Sequence, residues 1–375
     1  MPEVEIGIGK SARLAYGLDD VAIVPSRRTR DPEDVDLSWE IDAFRFDLPI
    51  VASPMDGVVS PATAVKLGEL GAVGVLNLEG VWARYEDPEP LLGEIASLPA
   101  DRVGARLRQI YAEPVKSELI RDRIREIRRS GVVAAGSVSP HRVEELVETV
   151  TRAELDLLVI QGSVVSAEHV TKGNPEPLNL KTFVRRLDVP VLVGGCSSYQ
   201  AALHLMRTGA AGILVGVGAG RSSSTRRVLG VGTPLATAIA DARAARMRHL
   251  DETGAYVHLI ADGGFRTGGD IAKAIVCGAD AVMVGSALAA AHEAPGRGSH
   301  GGMAAAHAEL PRGARIDVGS RASLERILYG PADDDSGELN LAGALRRAMA
   351  LCGHASLKEL QKAEVVVLPS QDGRR

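Results

Sequence analysis

Residues Val257–Ser286 read VHLIADGGFRTGGDIAKAIVCGADAVMVGS. The apolar run Val257–Asp262 has strand length and stops at an acidic residue followed by Gly263 and Gly264. A helical pattern follows over Asp270–Cys277, and a second apolar run, Ala281–Ser286, ends on Gly285 and Ser286. Strand, glycine turn, helix and strand in this order make one repeat of a parallel β/α sheet. The second half has an echo upstream. TGAAGILVG (Thr208–Gly216) and CGADAVMVG (Cys277–Gly285) share the form x-G-A-x-x-φ-φ-V-G, where φ is apolar. In each, a glycine ends a helix and a buried strand runs to a second glycine.

Working outward, six further runs have the same character: Leu48–Ser53, Ala72–Leu78, Val132–Ser137, Leu155–Ile160, Val189–Gly195 and Gly212–Gly216. Helical patterns separate most of them, at Pro61–Leu70, Glu118–Arg129, His141–Arg152 and Pro234–Leu250. Eight alternations favour a closed α/β barrel, a single (β/α)8 TIM barrel, with an open doubly wound sheet as the alternative. The barrel core spans about 48–290, and a helix near Leu341–Leu351 and a strand at Glu364–Leu368 form a C-terminal extension within 338–368. The long connection between Asn77 and Val132 is expected to hold two helices, over Asp87–Ser97 and Pro114–Arg129. The whole chain, 1–375, is expected to be one domain with short N- and C-terminal extensions.

Composition agrees with buried parallel strands. Hydrophobic residues make up 45% of the 375 residues and aromatics only 3%, so the core is aliphatic. A net charge of −5, without a long basic block, argues against nucleic acid as partner. No run of about 18 apolar residues marks a membrane span, and Met1–Lys10 lacks the apolar core of a signal peptide. The three cysteines, Cys196, Cys277 and Cys352, are far apart. A disulfide scaffold is therefore not expected, and a cytoplasmic location is.

In barrels of this kind, chemistry gathers where strands end. Gly263, Gly264 and Gly285 let backbone N–H groups approach an anion, and Ser286 adds a hydroxyl. Asp262 is placed to accept from sugar hydroxyls, or to serve as a cap or turn residue. The sixth run enters Gly216-Val217-Gly218-Ala219-Gly220-Arg221-Ser222-Ser223-Ser224-Thr225-Arg226, a hydroxyl-rich loop over the mouth. The first run ends Ser53-Pro54-Met55-Asp56, where Met55 is either a platform for a flat ring or a core methionine.

These segments resemble the IMP dehydrogenase and GMP reductase family. The resemblance rests on Leu18-Asp19-Asp20-Val21, Ser53-Pro54-Met55-Asp56, Gly194-Gly195, the GxGxG loop through Thr225-Arg226, Ala261-Asp262-Gly263-Gly264, Gly269–Ala274 and Val282–Ser286. It is strongest to the family's shorter actinobacterial members, because the run from Leu78 to Arg121 leaves no room for a CBS insert. The resemblance implies a purine nucleotide ligand (IMP, XMP or GMP), NAD as cofactor, a role in GMP biosynthesis, and a homotetramer or octamer. It places the ribose at Asp262 and the phosphate at Gly263, Gly264, Gly285 and Ser286. Ser53 and Met55 line the purine, and Gly298 and Met303, in a flap over 294–318, complete the substrate side. Gln161 and Ser163 fall at the cofactor, and Gly218 and Gly220 at a monovalent cation, K+.

The chain departs from the family's pattern where the reaction takes place. Ser223 occupies the position of the nucleophilic cysteine, with Thr225 beside it. A serine hydroxyl needs a strong adjacent base, which a thiol does not. Arg221 replaces a phosphate-binding serine, and a guanidinium can itself hold phosphate. Gln161 replaces an aspartate. Cys196 stands where asparagine is usual, as a displaced nucleophile or a small buried residue. The flap carries no Arg-Tyr pair, and His300 is expected to be a solvated loop histidine, with a base as the alternative. Three readings follow: an NAD-dependent oxidoreductase of the IMP dehydrogenase type, a nucleotide-binding paralogue without that activity, acting in regulation or assembly, or another phosphate-binding barrel enzyme such as an isomerase or lyase, which leaves the purine-lining motifs unexplained.

Overall fold

A computed structural model describes residues 3–166, 179–301 and 315–368. Eight strands pair in parallel, in chain order: β1 (Ile50–Ala52), β2 (Val73–Asn77), β3 (Ala135–Val138), β4 (Leu157–Gln161), β5 (Val191–Cys196), β6 (Gly212–Val215), β7 (His258–Asp262) and β8 (Ala281–Val284). The barrel closes where β8 pairs with β1, Val282 opposite Ile50 and Val284 opposite Ala52. The closed barrel, rather than the open sheet, is therefore the fold. Every residue of β2, β4, β5 and β6 is buried, which is why these strands read as unbroken apolar runs instead of alternating. Each fully buried Leu or Ile contributes about 1.5–3 kcal/mol of transfer free energy.

The helices α1 (Pro61–Glu69), α2 (Glu89–Ser97), α3 (Ala100–Ile110), α4 (Ser117–Arg129), α5 (Val143–Arg152), α6 (Leu180–Val184), α7 (Tyr199–Met206), α8 (Leu235–Thr253), α9 (Gly268–Cys277) and α10 (Ser286–Ala289) follow the strands. Three more, α11 (Leu324–Tyr329), α12 (Leu341–Leu351) and α13 (Leu357–Leu360), close the described chain. The β2–β3 connection holds three helices where the sequence predicts two. In α3, ADRVGARLRQI, the apolar positions are Val103, Leu107 and Ile110, a narrow stripe among four charged residues and a glycine. So thin a stripe is easily read as loop.

Two features fix the two ends of the barrel. The Oγ1 of Thr267 accepts from Asp270 N at 3.2 Å, and Asp270 Oδ2 accepts from Thr267 N at 3.0 Å. This capping box fixes the start of α9 just beyond the β7 glycines. At the opposite end, Asp280 is 3% exposed and accepts from Arg246 Nη1 at 2.7 Å, Leu259 N at 2.8 Å and Tyr256 OH at 2.8 Å. Lys358 of α13 reaches the same carboxylate, so the C-terminal extension is tied to the barrel's floor. Beyond it, Val365–Val367 pairs antiparallel with Val21–Ile23, within the expected Glu364–Leu368. No helix among the described residues is long and apolar enough to cross a membrane.

Candidate functional site

The residues singled out from the sequence meet over the barrel axis, at the C-terminal ends of the strands. Ser53, Met55, Gln161, Ser163, Gly218, Gly220, Arg221, Ser223, Asp262, Gly263, Gly264, Gly285 and Ser286 line one cavity of about 120 Å³. Met55 also borders a second cleft of about 500 Å³, under α2 and α3. The first is smaller than a typical small-molecule site, so a ligand there has to use the open face of the mouth.

Asp262 closes β7 and Gln161 closes β4. The Nε2 of Gln161 donates to Asp262 Oδ2 at 3.1 Å and approaches Met283 Sδ at 3.5 Å. Burial pushes the Asp262 carboxyl up to about 6, while the Gln161 bond pulls the other way. Asp262 thus holds Gln161 and keeps one face toward the cavity, rather than capping a helix. Gly263 and Gly264 have φ of 105° and 90°, a region that favours glycine. A Cβ on Gly263 would lie 2.6 Å from Gly220 N, so the β7 and β6 loops touch through their backbones.

One side of the mouth is cationic. Arg221, Arg266 and Ser286 line the cavity and a recess beside it. Arg266, unrecognised in the sequence, lies two residues beyond Gly264. Ser286 Oγ is 2.9 Å from His300 Nε2. His300 corrects the sequence expectation: it is 3% exposed rather than solvated, and burial, reinforced by Arg221, pushes its pKa down to about 4. The strand pair Ser299–His300 with Ile316–Asp317 carries the ring inward. Across the mouth, Gly285 lies against Met55, since a Cβ there would be 2.8 Å from Met55 Cε.

Ser223 faces the cavity, and its Oγ donates to Thr225 Oγ1 at 3.3 Å. Its N–H donates to Gly220 O at 3.1 Å, closing the loop on itself. Thr225 is buried one step behind, at the start of the helical turn Thr225–Leu229. A threonine hydroxyl is no base, so no activator of the serine is seen among the described residues. Cys196 is not a substitute. It is 1% exposed, its thiol points at Leu214 O at 3.5 Å, and burial pushes it up to about 12. The small buried residue is therefore the correct reading of Cys196.

Gly298 is not among the residues that line this cavity. Its carbonyl accepts from Val318 N at 2.8 Å, and its Cα packs on Gly319. Met303 and most of the expected flap lie outside the described residues. Asp56, next to Met55, was quoted in the sequence only as part of a motif. It is 7% exposed, accepts from Val81 N at 3.0 Å and from the Tyr111 hydroxyl, and burial pushes its carboxyl up. Tyr111 ends α3, so overlooking that helix concealed the pair. No group of His, Cys, Asp and Glu able to hold a metal occurs among the described residues.

The IMP dehydrogenase / GMP reductase domain family matches residues 15–305. An uncharacterized oxidoreductase of Mycolicibacterium smegmatis is 50% identical, over 97% of this chain and 99% of its own length. One of Mycobacterium tuberculosis is equally similar, with the same coverage. The inosine-5'-monophosphate dehydrogenase of Methanocaldococcus jannaschii is 25% identical, over 96% of this chain and 94% of its own. The crystal structure of an IMP dehydrogenase/GMP reductase-like protein from Corynebacterium glutamicum superposes with a TM-score of 0.92 at 46% identity, covering 97% of each chain.

Proposed function

Because this chain belongs to the IMP dehydrogenase / GMP reductase family, we propose that its barrel mouth binds a purine nucleoside monophosphate, IMP or the related XMP or GMP, and does not oxidise it by the thiol route. The carrying observation is the division of the mouth into an anion end and an acceptor end. Arg221, Arg266, Ser286 and the glycine N–H groups form the first; Asp262 with Gln161 forms the second. A phosphate fits donors and guanidinium groups, and a ribose fits a carboxylate that accepts from its hydroxyls. Ser53 and Met55 then meet the purine, with Met55 as a polarizable surface.

Ser223, which meets no base among the described residues, supports binding without covalent catalysis. The biological role under this reading is regulatory or an assembly role in purine metabolism. The second reading, an NAD-dependent oxidoreductase producing XMP, is favoured by one observation: Ser223 and Ser163 border the same cavity, within reach of one bound ligand. The residues at β4 fit the cofactor poorly, because the Gln161 amide nitrogen is engaged by Asp262 and Met283 and the side chain offers no charge to a cofactor ribose. NAD, if bound, would supply a hydride acceptor. A K+ ion belongs to the same reading only at the Gly218 and Gly220 carbonyls, and the Gly220 carbonyl already accepts from Ser223 N. A homotetramer or octamer completes the proposal.

Calorimetry with IMP, XMP and GMP, followed by an NADH-formation assay with the best ligand, tests the two readings. Binding without NADH formation supports the first. Turnover that Ser223→Ala abolishes replaces it with the second. Repeating the titration in K+ and in choline tests the cation, and sedimentation tests the assembly.

A further inference from the structure

Gln161 closes β4 across the barrel from Asp262, and its side chain is 91% buried, being 9% exposed. A primary amide carries two N–H donors and one carbonyl acceptor. Here the nitrogen donates to Asp262 Oδ2 at 3.1 Å and approaches Met283 Sδ at 3.5 Å. That fixes which end faces which way, since the opposite orientation would set a carbonyl oxygen against a carboxylate. The Oε1 atom is buried with no hydrogen-bond partner among the described residues. An unpartnered buried acceptor is costly, and few persist without a reason. Gln161 also lines the mouth cavity, where a ligand can bring the missing donor.

We infer that Gln161 positions the ligand rather than a cofactor: its amide nitrogen holds Asp262 in place, and its carbonyl accepts one sugar hydroxyl while Asp262 accepts the neighbouring one. The inference rests on the nucleotide reading given above and deepens it, because it assigns the two hydroxyls of a ribose to two acceptors on facing strands. A vicinal diol has two O–H donors, and this pair meets both. A sugar lacking one hydroxyl leaves one buried acceptor empty, which is the condition for strong discrimination. The arrangement also links selectivity to protonation. Asp262 accepts from two O–H or N–H groups only as a carboxylate, and the Gln161 bond favours that form.

The test is calorimetry of the full chain with IMP and with its 2′-deoxy and 3′-deoxy analogues, from pH 5 to 8, for wild type, Gln161→Leu and Gln161→Glu. Wild type is expected to prefer IMP over one of the deoxy analogues by about tenfold or more. Gln161→Leu should lower IMP affinity about tenfold, shrink that preference, and move the pH midpoint of binding upward. Gln161→Glu keeps the shape but removes the donors to Asp262. Two facing carboxylates must then share a proton, so it too should raise the midpoint, and it serves if the leucine variant fails to fold. If both variants bind IMP with unchanged preference and midpoint, Gln161 merely packs and the inference is overturned while the nucleotide reading stands. If wild type binds no purine nucleotide, both fall.

Discussion

The Nε2 of His300 lies 2.9 Å from the Oγ of Ser286 in a pocket where burial and the charge of Arg221 keep the imidazole neutral. With the proton on Nε2, the ring donates to Ser286 Oγ and leaves the serine its own O–H for an anion. Nδ1, buried without a partner among the described residues, is then a bare acceptor rather than a stranded donor. A solvated histidine would do neither.

The pH dependence of stability follows from the same ring. Its pKa falls from 6.5 to about 4 on folding, so between those values the unfolded chain binds the extra proton. Stability should be full above about 6.5 and decline as pH drops toward 4, by up to about 3 kcal/mol from this group. Chemical denaturation of wild type and His300→Gln across that window checks it. The variant should lose this part of the slope.

At Ser286 the expected loss is confined to phosphate-bearing ligands. Ser286→Ala should weaken IMP binding about five- to tenfold, one charge-assisted hydrogen bond. Inosine, which lacks the phosphate, should bind wild type and variant alike. Equal losses for both ligands would remove Ser286 from the anion end.

Ser223 offers a chemical probe of the mouth. Ser223→Cys places a thiol on the cavity wall, where a small alkylating reagent can reach it, whereas Cys196 is buried and stays inert. Mass spectrometry of the alkylated protein should find label at position 223, and saturating IMP should slow its addition at least about tenfold, since bound ligand blocks access. Labelling unaffected by IMP would move the purine away from this loop.

The floor of the barrel makes an independent prediction. Arg246 and Asp280 have side chains 3% exposed and pair at 2.7 Å. Arg246→Ala would leave the carboxylate without its buried cation, with the more exposed Lys358 remaining, and should cost about 3–5 kcal/mol in chemical denaturation. Nucleotide affinity, set at the other end of the strands, should not change where the variant is folded.

How much of this was legible in the sequence differs by region. All eight strands could be read, because parallel strands buried on both faces leave continuous apolar runs such as Leu157–Ile160. The strand-end residues were legible because a barrel delivers its strand ends to one mouth. Contacts across the barrel were not. Nothing in the chain pairs Gln161 with Asp262, or Ser286 with His300, since such pairs depend on register and loop path. The α3 stripe was too thin to register, and with it went Tyr111 against Asp56. His300 looked exposed because Gly296, Gly298, Gly301 and Gly302 surround it, yet its short strand turns it inward.

The central claim is that Asp262 and its neighbours hold a purine nucleoside monophosphate. Calorimetric titration of the wild-type chain and Asp262→Ala with IMP at pH 7.5 tests it most directly, a pH about 1.5 above the carboxyl's midpoint of about 6. The account predicts saturable one-site binding to wild type and a loss of about tenfold to a hundredfold in the variant. Absence of binding to wild type, or equal affinity in the two proteins, would contradict it.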